Sequence, residues 1–131
     1  MTQQVNPRVL IVDDETELLK LVGILLKRIN VDSVPVNDGA SALNWLDKSN
    51  QPDLVILDLM MPGIDGMEVL RRIRTRKEMD AMPVLILSAK ADPGTIRSAL
   101  DSGADGYITK TYLATSLVPR VQTLLNSGRT T

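Results

Sequence analysis

Three aspartates, a serine and a lysine each stand at the end of an apolar run. Asp13 and Asp14 follow Val9–Val12, and Asp58 closes "DLVILD". Ser88 closes "MPVLILS" and Lys110 closes "DGYITK". Carboxylates brought together repel, and each unit by which a pKa rises costs about 1.4 kcal/mol. Such a cluster calls for a cation. Mg2+ takes oxygen ligands, keeps several waters and joins carboxylates to phosphate, while Lys110 supplies a second positive charge. The Ser88 hydroxyl can donate to an incoming oxygen. This set suits phosphoryl transfer, which needs neutralisation of equatorial charge and an in-line nucleophile. A carboxylate can serve as that nucleophile, giving an acyl phosphate. Asp58, on the strand between the other groups, is best placed for the role.

Each residue taken singly has a plainer use. Asp14 reads as a helix N-cap, Asp58 and "PGIDG" as turn signals, and Ser88 and Lys110 as structural or solvated groups. The joint pattern is less easily set aside, because the four strand ends are independent of one another.

Strand and helix patterns alternate along the whole chain. After the first strand, Leu18, Leu19, Val22, Leu25, Leu26 and Ile29 fall at helical spacing, predicting a helix from Glu15 to about residue 29 with Asp14 at its N-cap. "DSVPVND" is a weaker second strand whose Pro35 argues for a sheet edge. "GASALNWLDK" predicts a short helix burying Ala42, Trp45 and Leu46. A third strand ends at Asp58, and the helix after "MMPGIDG" carries Met67, Leu70 and Ile73. The fourth strand leads to a helix with Asp92 as N-cap, Pro93 at its first position and Gly103 as its stop. "DGYITK" is the fifth strand, and a fifth helix is predicted from Thr115 to about residue 125. Five strand–helix pairs with apolar central strands predict an α/β fold: a doubly wound, five-stranded parallel sheet, flavodoxin-like (βα)5, in strand order 2-1-3-4-5. In such sheets ligands bind at the carboxyl ends of the strands, where all five residues converge.

Composition excludes other chemistries. The 131 residues contain no cysteine and no histidine, so disulfides, thiolate or imidazole metal sites and histidine bases are absent. Phenylalanine is also missing, leaving Trp45, Tyr107 and Tyr112 as aromatics and predicting an aliphatic core. Fifteen basic residues against 16 acidic give a net charge of -1, with no call for a direct nucleic acid or anionic membrane partner. No run approaches a membrane span and "MTQQVNPR" is no signal peptide, so a cytoplasmic setting is expected. Residues 1–7 are expected to be a disordered N-terminal segment, 8–126 one domain, and 127–131 a tail or the start of a linker.

Asp13-Asp14 after an apolar strand, Asp58 in "LDLMMPGIDG", Ser88-Ala89 after "VLIL" and Lys110 after "GYIT" resemble the receiver domain of bacterial two-component response regulators. The resemblance covers residues 8 to 126. It implies that Asp58 accepts a phosphoryl group from a phosphohistidine on a sensor histidine kinase or phosphotransfer protein. It implies further that Asp13, Asp14, Asp58 and the backbone carbonyl of Met60 hold Mg2+. Ser88, the backbone of Ala89, and Lys110 would bind the phosphoryl oxygens. Ser88 and Tyr107 would form the switch, and the fourth helix, fifth strand and fifth helix the output surface, with phosphorylation-dependent dimerisation as one use of it. Met60 and Lys90 occupy the positions where the family tunes attack by water. Neither side chain is suited to activate that water, so slow self-dephosphorylation is expected. The chain would be a switch acting on its own phosphorylation and dephosphorylation only, not an enzyme.

Two departures from the pattern fall on the expected output surface. Thr111 stands where the family has proline after the lysine, and Pro119 lies within the predicted fifth helix. Two rival readings remain: a degenerate receiver acting only as a docking module, and an aspartyl-nucleophile phosphohydrolase. The hydrolase would need a second acid two residues after the nucleophile, where Met60 stands. No glycine-rich phosphate loop follows the first strand, which disfavours a nucleotide site.

Overall fold

The computed structural model describes residues 5–48 and 51–129. Five parallel strands form one sheet in the order β2-β1-β3-β4-β5, as the pattern of buried runs predicts. They are β1 Arg8–Val12, β2 Asp32–Val36, β3 Leu54–Leu57, β4 Val84–Ser88 and β5 Gly106–Thr109, alternating with α1 Thr16–Lys27, α2 Gly39–Asp47, α3 Gly66–Arg74, α4 Pro93–Asp101 and α5 Leu113–Ser127. Strands β3 and β4 are buried along their whole length, as strands covered on both faces must be. Pro35 costs no ladder bond to a second neighbour, because β2 is the sheet edge.

The pleat divides the core in two. Leu10, Val12, Val55, Leu57, Val84 and Ile86 point to one face and pack on α2, α3 and Ala99 of α4. Val9, Ile11, Leu54, Ile56, Leu85 and Leu87 point to the other and pack on α1 and α5. Without phenylalanine, the filling is almost entirely Leu, Ile, Val and Met. Burying each such side chain contributes about 1.5–3 kcal/mol, which makes the sheet a stiff platform for whatever its rim carries.

Several local expectations are corrected. Asp14 does not cap α1: the N-cap is Glu15, without a side-chain cap bond, and the helix ends at Lys27. The carboxylate that turns back onto the chain there is Asp13, whose Oδ1 accepts from the Glu15 N–H at 2.8 Å. Trp45 is half-buried rather than core, its ring packed against the apolar cluster with the Arg8 guanidinium 5.2 Å from the ring centroid. The fifth helix begins at Leu113, so Thr115 lies inside it and Pro119 is well past the first turn. Leu113, Leu117, Val121 and Leu124 form its buried stripe, leaving Pro119 on the exposed face. Water can there serve the Thr115 carbonyl that loses its backbone donor. Lys110–Tyr112 forms a 3-10 turn joining β5 to α5, and no cis peptide bond occurs among the described residues.

Other signals hold. Asp92 caps α4, accepting from Thr95 N–H, with Pro93 at the first turn. Gly103 follows α4 with φ of +107°, a conformation that favours glycine.

Of the segment expected to be disordered, residues 1–4 lie outside the described residues. Val5–Pro7 carry no regular structure, and the Pro7 carbonyl accepts from Asp32 N–H at 2.8 Å. Of the expected tail, Ser127 closes α5 and residues 130 and 131 lie outside the described residues. Arg129 is held: it donates to Asp105 at 3.0 Å and to the carbonyls of Asp80 and Gly103.

Candidate functional site

Strand register assembles the site. Val12 of β1 pairs with Leu57 of β3, so the next residues, Asp13 and Asp58, emerge side by side. Their amides continue the ladder, Asp58 N–H to the Val12 carbonyl and Asp13 N–H to that of Val36. Ser88 of β4 pairs with Thr109 of β5, placing Lys110 one residue beyond. The loop after β3 is fixed from behind by Gly66, where a Cβ would lie 2.1 Å from the Asp58 carbonyl oxygen. Only a residue without a side chain lets α3 start there.

Asp13 and Asp58 are each 2% exposed, Ser88 is fully buried, and Asp14 is exposed. The Lys110 ammonium lies 3.1 Å from Asp13 Oδ2, 3.0 Å from Asp58 Oδ2 and 2.6 Å from Glu15 Oε1. The other Asp58 oxygen, Oδ1, accepts from the Met60 N–H at 3.1 Å. The Ser88 hydroxyl accepts from the Lys90 N–H at 3.3 Å, and the Tyr107 hydroxyl donates to the Lys90 carbonyl at 2.8 Å.

The electrostatics follow from burial and these contacts. Desolvation holds the Asp13 carboxyl above the usual range, against the opposing pull of the Glu15 N–H and Lys110, while the Asp58 charge pushes it further up. Burial would lower the Lys110 pKa, but Glu15, Asp58 and Asp13 outweigh it and hold the ammonium firmly protonated. Burial also raises the Tyr107 phenol, which stays neutral and able to donate.

The donor set fits a hard divalent cation. Asp13, Asp14 and Asp58 each offer one oxygen, all within 4.8 Å of one another. Octahedral Mg2+ with bonds of about 2.0–2.1 Å spaces its ligand oxygens roughly 3–4 Å apart, within reach of small side-chain rotations.

The sequence-predicted residues therefore meet at one rim: Asp13, Asp14 and Asp58 lie within reach of one another, Lys110 contacts Asp13 and Asp58, and Ser88 and Ala89 stand on the next strand end. Met60 and Lys90 line one cleft beside the site, together with Met67, Arg71 and Asp92. Tyr107 is half-buried on β5, outside the acidic cluster. Sequence reasoning missed Glu15, which makes the shortest of the lysine's three contacts. Its one signal is adjacency to Asp13-Asp14, which also fits an ordinary first-turn acid.

Comparison with known proteins gives a consistent result. The family profile described as "Response regulator receiver domain" matches residues 9–122. The DNA-binding response regulator MtrA of Mycobacterium tuberculosis is 38% identical over 118 residues, covering 90% of this chain and 50% of MtrA. The chain thus spans about half the length of the curated relatives it matches. Among solved structures, the Francisella response regulator 1452 receiver domain is 31% identical with a TM-score of 0.84, covering 92% of this chain and 98% of that one. The BeF3-activated N-terminal receiver domain of Klebsiella pneumoniae RstA is 29% identical with a TM-score of 0.83, covering 92% and 99%.

Proposed function

Because the chain belongs to the response regulator receiver domain family, we propose that it is a phosphorylation-dependent signalling switch whose phosphoacceptor is Asp58. The observation that carries this reading is the sharing of one ammonium, Lys110, between two buried carboxylates at adjacent strand ends. A cation there neutralises charge where phosphoryl oxygens would sit.

Phosphoryl transfer from a sensor kinase or phosphotransfer protein proceeds by attack of an Asp58 oxygen on phosphorus. The O–P bond forms as the N–P bond of phosphohistidine breaks, and the imidazole leaves with the electron pair. The Met60 N–H orients Asp58 through Oδ1. Lys110, Ser88 and the backbone of Ala89 receive the equatorial oxygens. Asp13, Asp14, Asp58 and the Met60 carbonyl would hold Mg2+, which when bound adds Lewis-acid neutralisation of the phosphoryl charge.

The new charge, about two units, draws the Ser88 hydroxyl toward it. That motion strains the Ser88–Lys90–Tyr107 chain of hydrogen bonds and so reaches the face formed by α4, β5 and α5. Output, through a further domain, a partner or a dimer, is read from that face. No helix among the described residues is long and apolar enough to cross a membrane.

The acceptor assignment is tested by incubating the protein with Mg2+ and acetyl phosphate and weighing it intact. A gain of one phosphoryl group, about 80 Da, absent with EDTA and in Asp58→Asn, is expected. No gain where a control receiver is modified would favour the docking-module reading. The lifetime gives a second expected result. Met60 is half-exposed and Lys90 exposed in the adjoining cleft, and neither side chain is suited to activate water, while the cleft's carboxylates, Asp65 and Asp92, are engaged in capping α3 and α4. Loss of label from the isolated phosphoprotein should be slow, and a half-life of seconds would contradict it.

A further inference from the structure

The Lys110 ammonium has three N–H donors; it donates to Glu15 and Asp58, and a third carboxylate, Asp13, lies 3.1 Å away. Two of the three, Asp13 and Asp58, also belong to the trio of oxygens arranged for a divalent cation; Glu15 does not. The lysine and a cation therefore draw on the same two buried carboxylates. Glu15 differs from its partners in two ways. Its side chain is 60% exposed, against 2% for Asp13 and Asp58, and it makes the shortest contact. It is also tied to the site through its backbone, since its N–H donates to Asp13 Oδ1.

We infer that Glu15 is a positioning residue that retains the Lys110 ammonium at the edge of the site when Asp13 is ceded to a divalent cation. The inference rests on the metal-dependent reading of the site given above. If Lys110 had only Asp13 and Asp58, entry of a cation would leave a part-buried ammonium with a single partner, at a cost in cation affinity. With Glu15 present the ammonium keeps an anion outside the cation's shell and stays near Asp58, where it is needed for the phosphoryl oxygens. The exposed carboxylate loses little by alternating between lysine and water.

The test is calorimetric titration of the full chain with Mg2+ alone, in wild type, Glu15→Gln, Lys110→Met and the double variant. Glu15→Gln should weaken Mg2+ binding about threefold to fivefold in the wild-type background and much less where Lys110 is already gone. A Lys110→Gln background serves if Lys110→Met does not fold, and Glu15→Asp should recover part of the loss. Equal weakening in both backgrounds overturns the inference, since Glu15 would then act only as a nearby charge; so does no weakening at all. Absence of Mg2+ binding by wild type at millimolar concentration overturns the metal-dependent reading itself, and with it this inference.

Discussion

Lys110→Ala should slow phosphoryl uptake from acetyl phosphate by about 100- to 1,000-fold at saturating Mg2+, the usual cost of removing one preorganised charge from a transition state. The ammonium is already 3.0 Å from Asp58 Oδ2 and only 16% exposed, so it needs no reorganisation when charge develops on the phosphoryl oxygens. The same variant leaves Asp13 and Asp58 buried together without their shared cation. Its stability in EDTA should fall, and Mg2+ should restore more of it than in wild type, because the metal then replaces the missing charge. Lys110→Arg should not rescue the rate, since a planar guanidinium on a longer stem cannot place a compact charge among three carboxylates. The measurement is a time course of intact mass at fixed acetyl phosphate, with urea unfolding in parallel. A loss under about fivefold would contradict the role given to the ammonium.

At the opposite end of the sheet, Asp105→Ala should cost about 3–5 kcal/mol of unfolding free energy. The Asp105 side chain is completely buried and accepts from Arg74 at 2.9 Å, from Arg129 at 3.0 Å and from the Val84 N–H at 2.9 Å. The last bond ties the start of β5 to the start of β4. Removing the carboxylate leaves the Arg74 guanidinium, itself only 11% exposed and already held below its usual pKa by burial, without this counter-charge, bonded to the Gly103 and Met79 carbonyls. It also leaves a buried amide without this acceptor. Against a total of about 5–15 kcal/mol for a domain, that loss is large. Arg129→Ala should cost less, about 1 kcal/mol, because its other contacts are to exposed or part-buried carbonyls. Urea unfolding with an unchanged m-value reads both. Since Asp105 lies far along β5 from Lys110, the folded fraction of either variant should take up phosphoryl as wild type does.

The placement of these two sites explains what the sequence could tell. Strand order was readable from the buried central runs and the edge-marking Pro35 of the second strand, and the shared rim because four apolar runs each end on a chemically distinctive residue that parallel register turns into neighbours. Asp92 and Pro93 were readable because capping chemistry is local. Asp14 misled because an aspartate between a strand and a helical run has the chemistry of a cap, whereas the Glu15 N–H is taken by Asp13 Oδ1 and the helix starts one residue later, with Glu15 at the N-cap. Trp45 misled for a different reason: its large ring packs against the core and still leaves surface for the Arg8 guanidinium, which lies over it. The start of α5 is read two residues late, at Thr115, because the 3-10 turn before it carries no helical periodicity, whereas the buried Leu113 packs as the first residue of the helix. Glu15 and Arg129 were invisible for a different reason. Their partners, Lys110 and Asp105, are distant in sequence, and no periodicity encodes a single long-range ion pair.

The acceptor can be located directly. After treatment with acetyl phosphate and Mg2+, borohydride reduces an aspartyl phosphate, an acyl phosphate, to homoserine, which peptide mass mapping then assigns. Homoserine at position 58 and nowhere else is the expected result. Homoserine at Asp13 or Asp14, or none in a protein that has gained phosphoryl mass, would contradict Asp58 as the phosphoacceptor.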